Sequence, residues 1–137
     1  MTISTSGYGL TATVRLPWDD AVQRTRDELA KEGFGVLTEI DVRATMRKKL
    51  DVEFRPYVIL GACNPPLAHR ALTAEPGVGL LLPCNVVVYA GDRPGECVVS
   101  VIDPLPQFQL TGRADLEPVA REVRERLERV LTRVSAS

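Results

Sequence analysis

Apolar and polar residues alternate over residues 9–16, which is the pattern of a strand with one buried face. Pro17 follows and suits the first turn of a helix, because the N–H group that proline lacks would have no helical acceptor there. Apolar spacing then changes to three and four residues, which predicts a helix over residues 18–32. Gly33 can end this helix in a left-handed conformation, and residues 34–40 predict a second strand.

A short helix and a third strand come next. Asp41 can cap the helix, and its apolar residues recur at four-residue steps: Val42, Met46 and Leu50. The remaining positions make this helix locally basic: Arg43, Arg47, Lys48 and Lys49. We interpret them as a solvated face, with an anion-facing patch as the alternative. Residues 54–62 predict the third strand, with Pro56 favouring an edge or a bulge.

The third strand leads into another short helix. Asn64 fits the N-cap position and Pro65 the first helical position. Three apolar residues are predicted to form its buried side: Leu67, Ala71 and Leu72. We expect the helix to end near residues 75–77, where a proline and a glycine follow each other.

The last third of the chain predicts a hairpin, a loop and a long helix. Strands over residues 86–89 and 97–102 are separated by turn-forming residues, so they should pair antiparallel. Asp103 and the prolines after it predict a turn and then a loop over residues 104–113. Residues 116–134 show the clearest helical periodicity in the chain, with apolar residues every three or four positions.

This order of elements predicts an α+β domain in which helices pack on one face of a mostly antiparallel sheet. The 137 residues suit a single domain, and 45% apolar with 26% charged residues is an ordinary composition for a soluble protein. The net charge of −1 gives no general attraction for phosphate backbones, so nucleic acid is an unfavoured partner.

The cellular location is predicted from the absence of targeting and membrane-spanning segments in the sequence. Residues 1–6 do not have the pattern of a secretion signal, and no stretch approaches the ~20 apolar residues of a membrane span. Three cysteines at irregular spacing suit neither a disulfide framework nor a paired metal motif. A reducing cytoplasm, with free thiols and no membrane contact, is therefore the expectation.

Two segments resemble the signature of a prokaryotic family, domain of unknown function 302. They are RPYVILGACNPPLA at residues 55–68 and GLLLPCNVVVY at residues 79–89. Residues 37–42 and 99–104 add to the resemblance, which spans most of residues 8–134. It implies a fold similar to the TATA-binding-protein type, a curved antiparallel sheet in the order β-α-β4-α, here with short inserted helices. It implies no activity, and a shared fold does not transfer DNA binding.

The two Cys-Asn steps inside these segments are the candidate chemistry. Cys63 precedes a helix N-cap, where free N–H groups would favour its thiolate and lower its pKa. The alternative is a small buried residue that closes the strand. If the strand beginning at Cys84 lies beside the one ending at Cys63, the thiols could form a disulfide or offer two ligands to zinc or copper(I). His69 is the only histidine and a possible third ligand, or a simple surface residue.

Asn64 and Asn85 complete the candidate ligand-binding set of Cys63, Asn64, His69, Cys84 and Asn85. Asn64 is expected mainly to cap its helix, and Asn85 to bond a neighbouring loop, although both amides could orient a polar ligand. The metal and any cofactor stay unidentified. The sequence contains no glycine-rich phosphate loop, nucleophile elbow or zinc-protease motif, so no residue is assigned a catalytic role.

Three functions fit these observations. The leading hypothesis is a non-enzymatic module that binds a small molecule or a metal ion. The second is a thiol-dependent redox protein or enzyme that uses Cys63 with Cys84. The third is a homodimeric interaction protein, with an interface drawn from Tyr8, Trp18 and residues 105–108.

Overall fold

Residues 3–136 are described by a computed structural model, and over this range the chain forms six strands and five α-helices. The elements in chain order are β1 (Ser4–Thr5), β2 (Gly9–Val14), α1 (Trp18–Lys31), β3 (Gly35–Asp41), α2 (Val42–Leu50), β4 (Tyr57–Cys63), α3 (Pro65–Ala74), β5 (Cys84–Ala90), β6 (Cys97–Ile102), α4 (Pro104–Gln109) and α5 (Glu117–Ser135). Two 3-10 segments, Pro76–Leu81 and Ala114–Leu116, lie after α3 and before α5.

All six strands form one antiparallel sheet in the order β1-β2-β6-β5-β4-β3. β5 and β6 pair as the predicted hairpin, and β4 lies directly beside β5. The early strand β2 pairs with the late strand β6, so that Gly9 lies opposite Ile102. The predicted α+β class, with helices packed on an antiparallel sheet, is confirmed.

The core lies between the sheet and the helices α1 and α5. Alternate residues of β2, β4, β5 and β6 are buried on this side, while α5 supplies a stripe of buried residues at helical spacing. That stripe consists of Val119, Ala120, Val123, Leu127, Val130, Leu131 and Val134. A helix of this length is stabilised mainly by burying such a stripe, which explains why its periodicity was the clearest in the sequence.

The loop predicted over residues 104–113 is correct only in its second part, because residues 104–109 form α4 whereas residues 110–113 are a turn. Asp103 is the N-cap of that helix, and its Oδ1 accepts a hydrogen bond from the Leu105 N–H at 3.0 Å. Pro104 occupies the first turn, where a missing N–H costs nothing. Phe108 is buried against the core and anchors the helix. The prolines were expected to end the strand and lead through a turn into a loop, whereas Pro104 instead lies at the start of a helix.

Other differences are confined to element ends and single residues. β4 begins at Tyr57 rather than at residue 54, although the Pro56 carbonyl still accepts a hydrogen bond from the Ala90 N–H. Leu72 was predicted to be buried on α3, but 39% of its surface is exposed. None of the helices within residues 3–136 combines the length and the apolar character needed to cross a membrane.

Candidate functional site

A cavity of about 290 Å³ lies where the ends of β4 and β5 meet α3, α4 and α5. Its walls are almost entirely apolar side chains, among them Phe34, Leu67, Ala71, Leu82, Phe108 and Val123. Protein interiors are normally packed so closely that few voids exceed the size of a water molecule. This cavity is instead an apolar cleft that opens at the surface, and its volume is far above the size of a water molecule.

The cavity is open to solvent on one side, where two leucines border it. Leu37 on β3 is 67% exposed and Leu72 on α3 is 39% exposed, and both line the cavity. Large apolar side chains at such exposure lose the free energy of burial that they would gain in a closed core. Their position at the mouth explains the exposure of Leu72, which faces the cavity opening instead of packed core.

Two of the three thiols line this cavity. Cys63 ends β4 and is half-buried, whereas Cys84 begins β5 and is only 6% exposed. Cys84 lies opposite Ala62 across the β4–β5 ladder. Burial raises the pKa of Cys84 to about 11, and the nearby Cys63 thiol adds to this increase. Cys84 is therefore protonated at neutral pH, and only Cys63 is accessible to reagents in this cavity.

The predicted capping role of Asn64, which also lines the cavity, is observed. Its Oδ1 accepts a hydrogen bond from the Leu67 N–H at 3.3 Å, and its Nδ2 donates to the Glu32 carbonyl at 3.3 Å. The side chain is 8% exposed and thus joins the start of α3 to the end of α1. Gly33 has a φ of +84°, and a Cβ there would lie 3.0 Å from Asn64 Nδ2. Both features hold this corner of the cavity in place.

A buried carboxylate that the sequence did not single out supports the same corner. Glu32 is bound by Arg129 at 2.8 Å and by Arg133 at 2.6 Å, while Arg126 donates to its backbone carbonyl at 2.8 Å. The hydrogen bond from Arg129 is the main cause of the lowered pKa of Glu32. The three arginines recur at three- and four-residue steps along α5, so the sequence does show that they share one face of the helix. Nothing in the sequence near Glu32 identifies it as their partner.

His69 and Asn85 lie away from the cavity. His69 is exposed on α3, and Asn85 is exposed on the sheet face opposite Cys84. The structure thus brings together Cys63, Asn64 and Cys84 but not the other two candidates. Within residues 3–136, no group of three or more His, Cys, Asp or Glu side chains is placed to hold a metal ion.

Most of the residues predicted for a subunit interface are instead part of the fold. Trp18 packs against the core and its Nε1 donates to the Val88 carbonyl at 3.0 Å. Phe108 is 5% exposed. Tyr8 alone is largely exposed, with 76% of its surface open to solvent. Trp18 and Phe108 were thus assigned to an interface from the sequence, but they attach α1 and α4 to the core of the protein.

Comparison with known proteins gives a family but no activity. The model of a family described as a domain of unknown function, DUF302, matches residues 10–134. A crystal structure of an uncharacterized conserved DUF302 protein from Bacillus stearothermophilus is 30% identical in sequence. It superposes with a TM-score of 0.86, covering 94% of this chain and 99% of the other. No curated protein matches the chain.

Proposed function

This chain belongs to the DUF302 family, a family named for its unknown function, and we propose that it binds a small apolar molecule in the cavity between α3, α5 and the sheet. The observation that carries the proposal is the cavity itself, with its apolar walls and its mouth between Leu37 and Leu72. Pockets with mostly apolar walls and few polar groups are the usual form of small-molecule sites.

The volume indicates the size of the ligand. An engineered apolar cavity of about 150 Å³ holds one benzene molecule. A volume of about 290 Å³ is roughly twice as large, so a bicyclic aromatic or a branched aliphatic group is the expected occupant. The side chain of Asn64 is already bonded at both ends, so it offers a ligand little polar recognition. Shape and apolar contact would therefore determine which molecules bind.

Titration of the protein with indole, followed by calorimetry and by amide chemical shifts, tests the proposal. We expect saturable binding with shifts confined to residues around the cavity, and much weaker binding of indole-3-carboxylate, whose charge would be buried without a partner. Ala68 lines the cavity and is half-buried, so Ala68→Phe should fill the space and weaken indole binding at least tenfold.

Ala30→Phe is the matched control for this experiment. Ala30 is an exposed helical residue on α1 that does not line the cavity, so the same substitution there should leave indole binding unchanged. If indole causes no localised shifts, or if Ala68→Phe binds as well as the wild type while remaining folded, this cavity is not a ligand site.

A redox role for Cys63 and Cys84 is the second candidate, favoured by the position of both thiols on one cavity. Forming a disulfide would release two protons and two electrons, which a thiol oxidant such as diamide would accept. Intact mass should then fall by two hydrogens, and Cys84→Ser should abolish this change. Cys97→Ser is the control, because Cys97 is 2% exposed in the core and does not line the cavity. An unchanged mass in the wild type would exclude this role.

A further inference from the structure

The two thiols on the cavity wall have no hydrogen-bond partner in the described part of the chain, although Cys84 is buried. Cys97 differs from Cys63 and Cys84, because its Sγ donates to the Leu16 carbonyl at 3.3 Å. Asn64, the remaining polar side chain on the wall, is bonded at both ends. The two thiols are therefore the polar side chains of this apolar wall that are left for a ligand to meet.

Cys63 is the more accessible of these two thiols. It ends β4 and lies opposite Gly35 of β3, so its neighbour across the ladder has no side chain. A Cβ placed on Gly35 would have no atom within 4 Å, so the space beside this end of the ladder is open. Cys84 is only 6% exposed, and burial raises its pKa to about 11. A reactive molecule in the cavity would therefore meet its nucleophile at Cys63.

The helix that follows Cys63 offers its thiol no free N–H group, in contrast to the expectation from the sequence. α3 begins with two prolines, which have no N–H groups. The next two N–H groups are bonded to Asn64, that of Leu67 to Oδ1 and that of Ala68 to the backbone carbonyl. Selectivity at Cys63 must then arise from the molecules that the cavity holds beside it, since holding two reactants together accelerates their reaction.

The composition of the wall determines which electrophiles suit this thiol. None of the described residues that line the cavity is charged, so an anion expelled by a displacement reaction would have no partner there. An addition reaction expels no group. We propose that Cys63 adds to apolar α,β-unsaturated carbonyl compounds that enter the cavity, an inference that rests on the binding function proposed above.

This addition is balanced without a further reagent. A bond forms between Cys63 Sγ and the β-carbon, the carbon–carbon double bond becomes a single bond, and the proton lost by the thiol is regained at the α-carbon through water. The carbonyl oxygen stays hydrated at the mouth between Leu37 and Leu72, and the apolar tail occupies the cavity. No oxidant, reductant or leaving group takes part.

Two vinyl ketones that differ only in their alkyl tails test the inference. Pentyl vinyl ketone and methyl vinyl ketone are each reacted with the full chain and with N-acetylcysteine, and intact mass with peptide mapping gives the rate and the modified residue. Relative to N-acetylcysteine, Cys63 should prefer the pentyl compound by roughly tenfold or more, because the longer tail buries more apolar surface. The rate should saturate with concentration, and indole should slow it.

Ala68→Phe separates selection by the cavity from simple exposure of the thiol. This variant should lose the preference for the pentyl compound and keep the wild-type rate with methyl vinyl ketone, because only the space for the tail is filled. Cys97 is 2% exposed in the core and should stay unmodified throughout, which reports that each variant remains folded. Cys63→Ser should give no adduct, whereas Cys84→Ser should react like the wild type.

Three results would overturn the inference. They are equal relative rates for the two ketones, modification of Cys84 in place of Cys63, and a preference for the pentyl compound that survives Ala68→Phe. If indole still binds in any of these cases, reversible binding in the cavity stands and covalent capture alone fails. If indole does not bind and the preference is absent, both proposals fail.

Discussion

At the scale of single residues, one glycine determines how closely two strands and a loop approach each other. Gly61 on β4 lies opposite Thr38, just after the register irregularity of β3. A Cβ at Gly61 would overlap the Thr38 Oγ1 and would lie 2.9 Å from Pro83 Cγ. The absence of a side chain at Gly61 therefore lets the Thr38 side chain lie across the strand. The missing Cβ also leaves room for Pro83, which lines the cavity beside Cys84.

Gly61→Ala should consequently destabilise the protein by about 1–3 kcal/mol, the usual effect of overpacking. Adding Thr38→Ala should recover part of this loss because the overlapping oxygen is removed, whereas adding Thr38→Val should not. Gly7→Ala is the control, since a Cβ there would have no atom within 4 Å. Urea denaturation measures all four variants, and equal stability of the two double variants would contradict the steric explanation.

At the scale of elements, α4 depends on a carboxylate with two functions. Asp103 caps the helix through Oδ1 and pairs with Arg124 Nε through Oδ2 at 3.1 Å. Its side chain is 8% exposed, so both interactions are largely shielded from solvent. The cap fixes where α4 begins, and the pair connects this point to α5. Since α4 supplies Phe108 to the cavity wall, Asp103 also supports the candidate site.

Substitutions at Asp103 should separate these two functions. Asp103→Asn keeps an acceptor for the Leu105 N–H and loses the charge, so it should cost less than Asp103→Ala, which loses both. Loss of a cap typically costs about 1 kcal/mol, which is the expected difference between the two variants. Denaturation midpoints in urea measure this difference, and identical midpoints would show that the cap contributes nothing.

At the scale of the whole molecule, α5 connects the strands β2 and β6 with the helices α1, α3 and α4. It buries an apolar stripe on the sheet and also binds the end of α1 through Glu32. The lowered pKa of Glu32 means that its ionised form is stabilised in the folded state. This stabilisation is complete above the ordinary carboxyl pKa of 4.5 and is lost as the pH falls through the lower folded pKa.

Glu32→Gln should therefore reduce the free energy of unfolding by about 1–2 kcal/mol at neutral pH. This value allows for screening by solvent, because Arg129 and Arg133 are half exposed. The difference from the wild type should narrow below about pH 4.5, where both proteins lack the charge. Glu122→Gln is the control, since the exposed pair with Arg126 contributes only about 0.5 kcal/mol or less. A difference that does not depend on pH would contradict the role of the charge.

The sequence predicted those parts of the molecule that depend on local pattern. The stripe on α5, the cap at Asn64 and the hairpin of β5 and β6 follow from periodicity, capping preference and turn residues, and all three are observed. The family signature also predicted the fold class. Cys63 and Cys84 were expected to be close only if the strands that carry them were neighbours. The sheet order shows that these strands, β4 and β5, are neighbours.

The remainder could not be predicted because it depends on contacts between distant segments. Nothing near Glu32 in the sequence indicates that arginines about a hundred residues later bind it. α4 was missed because its prolines are common both in loops and at helix starts. The cavity is a space between β4, β5, α3, α4 and α5, and the volume left between them follows from their packing rather than from any one segment.

The pairing of β2 with β6 has a consequence for how the chain acquires its structure. β2 has only the two-residue strand β1 as a local partner, so its ladder requires Gly9 to meet Ile102, which lies more than ninety residues later in the chain. Closing so long a loop costs conformational entropy before the contacts it enables are formed. We therefore expect refolding in milliseconds to seconds rather than microseconds, with the β5–β6 hairpin forming before β2 joins the sheet.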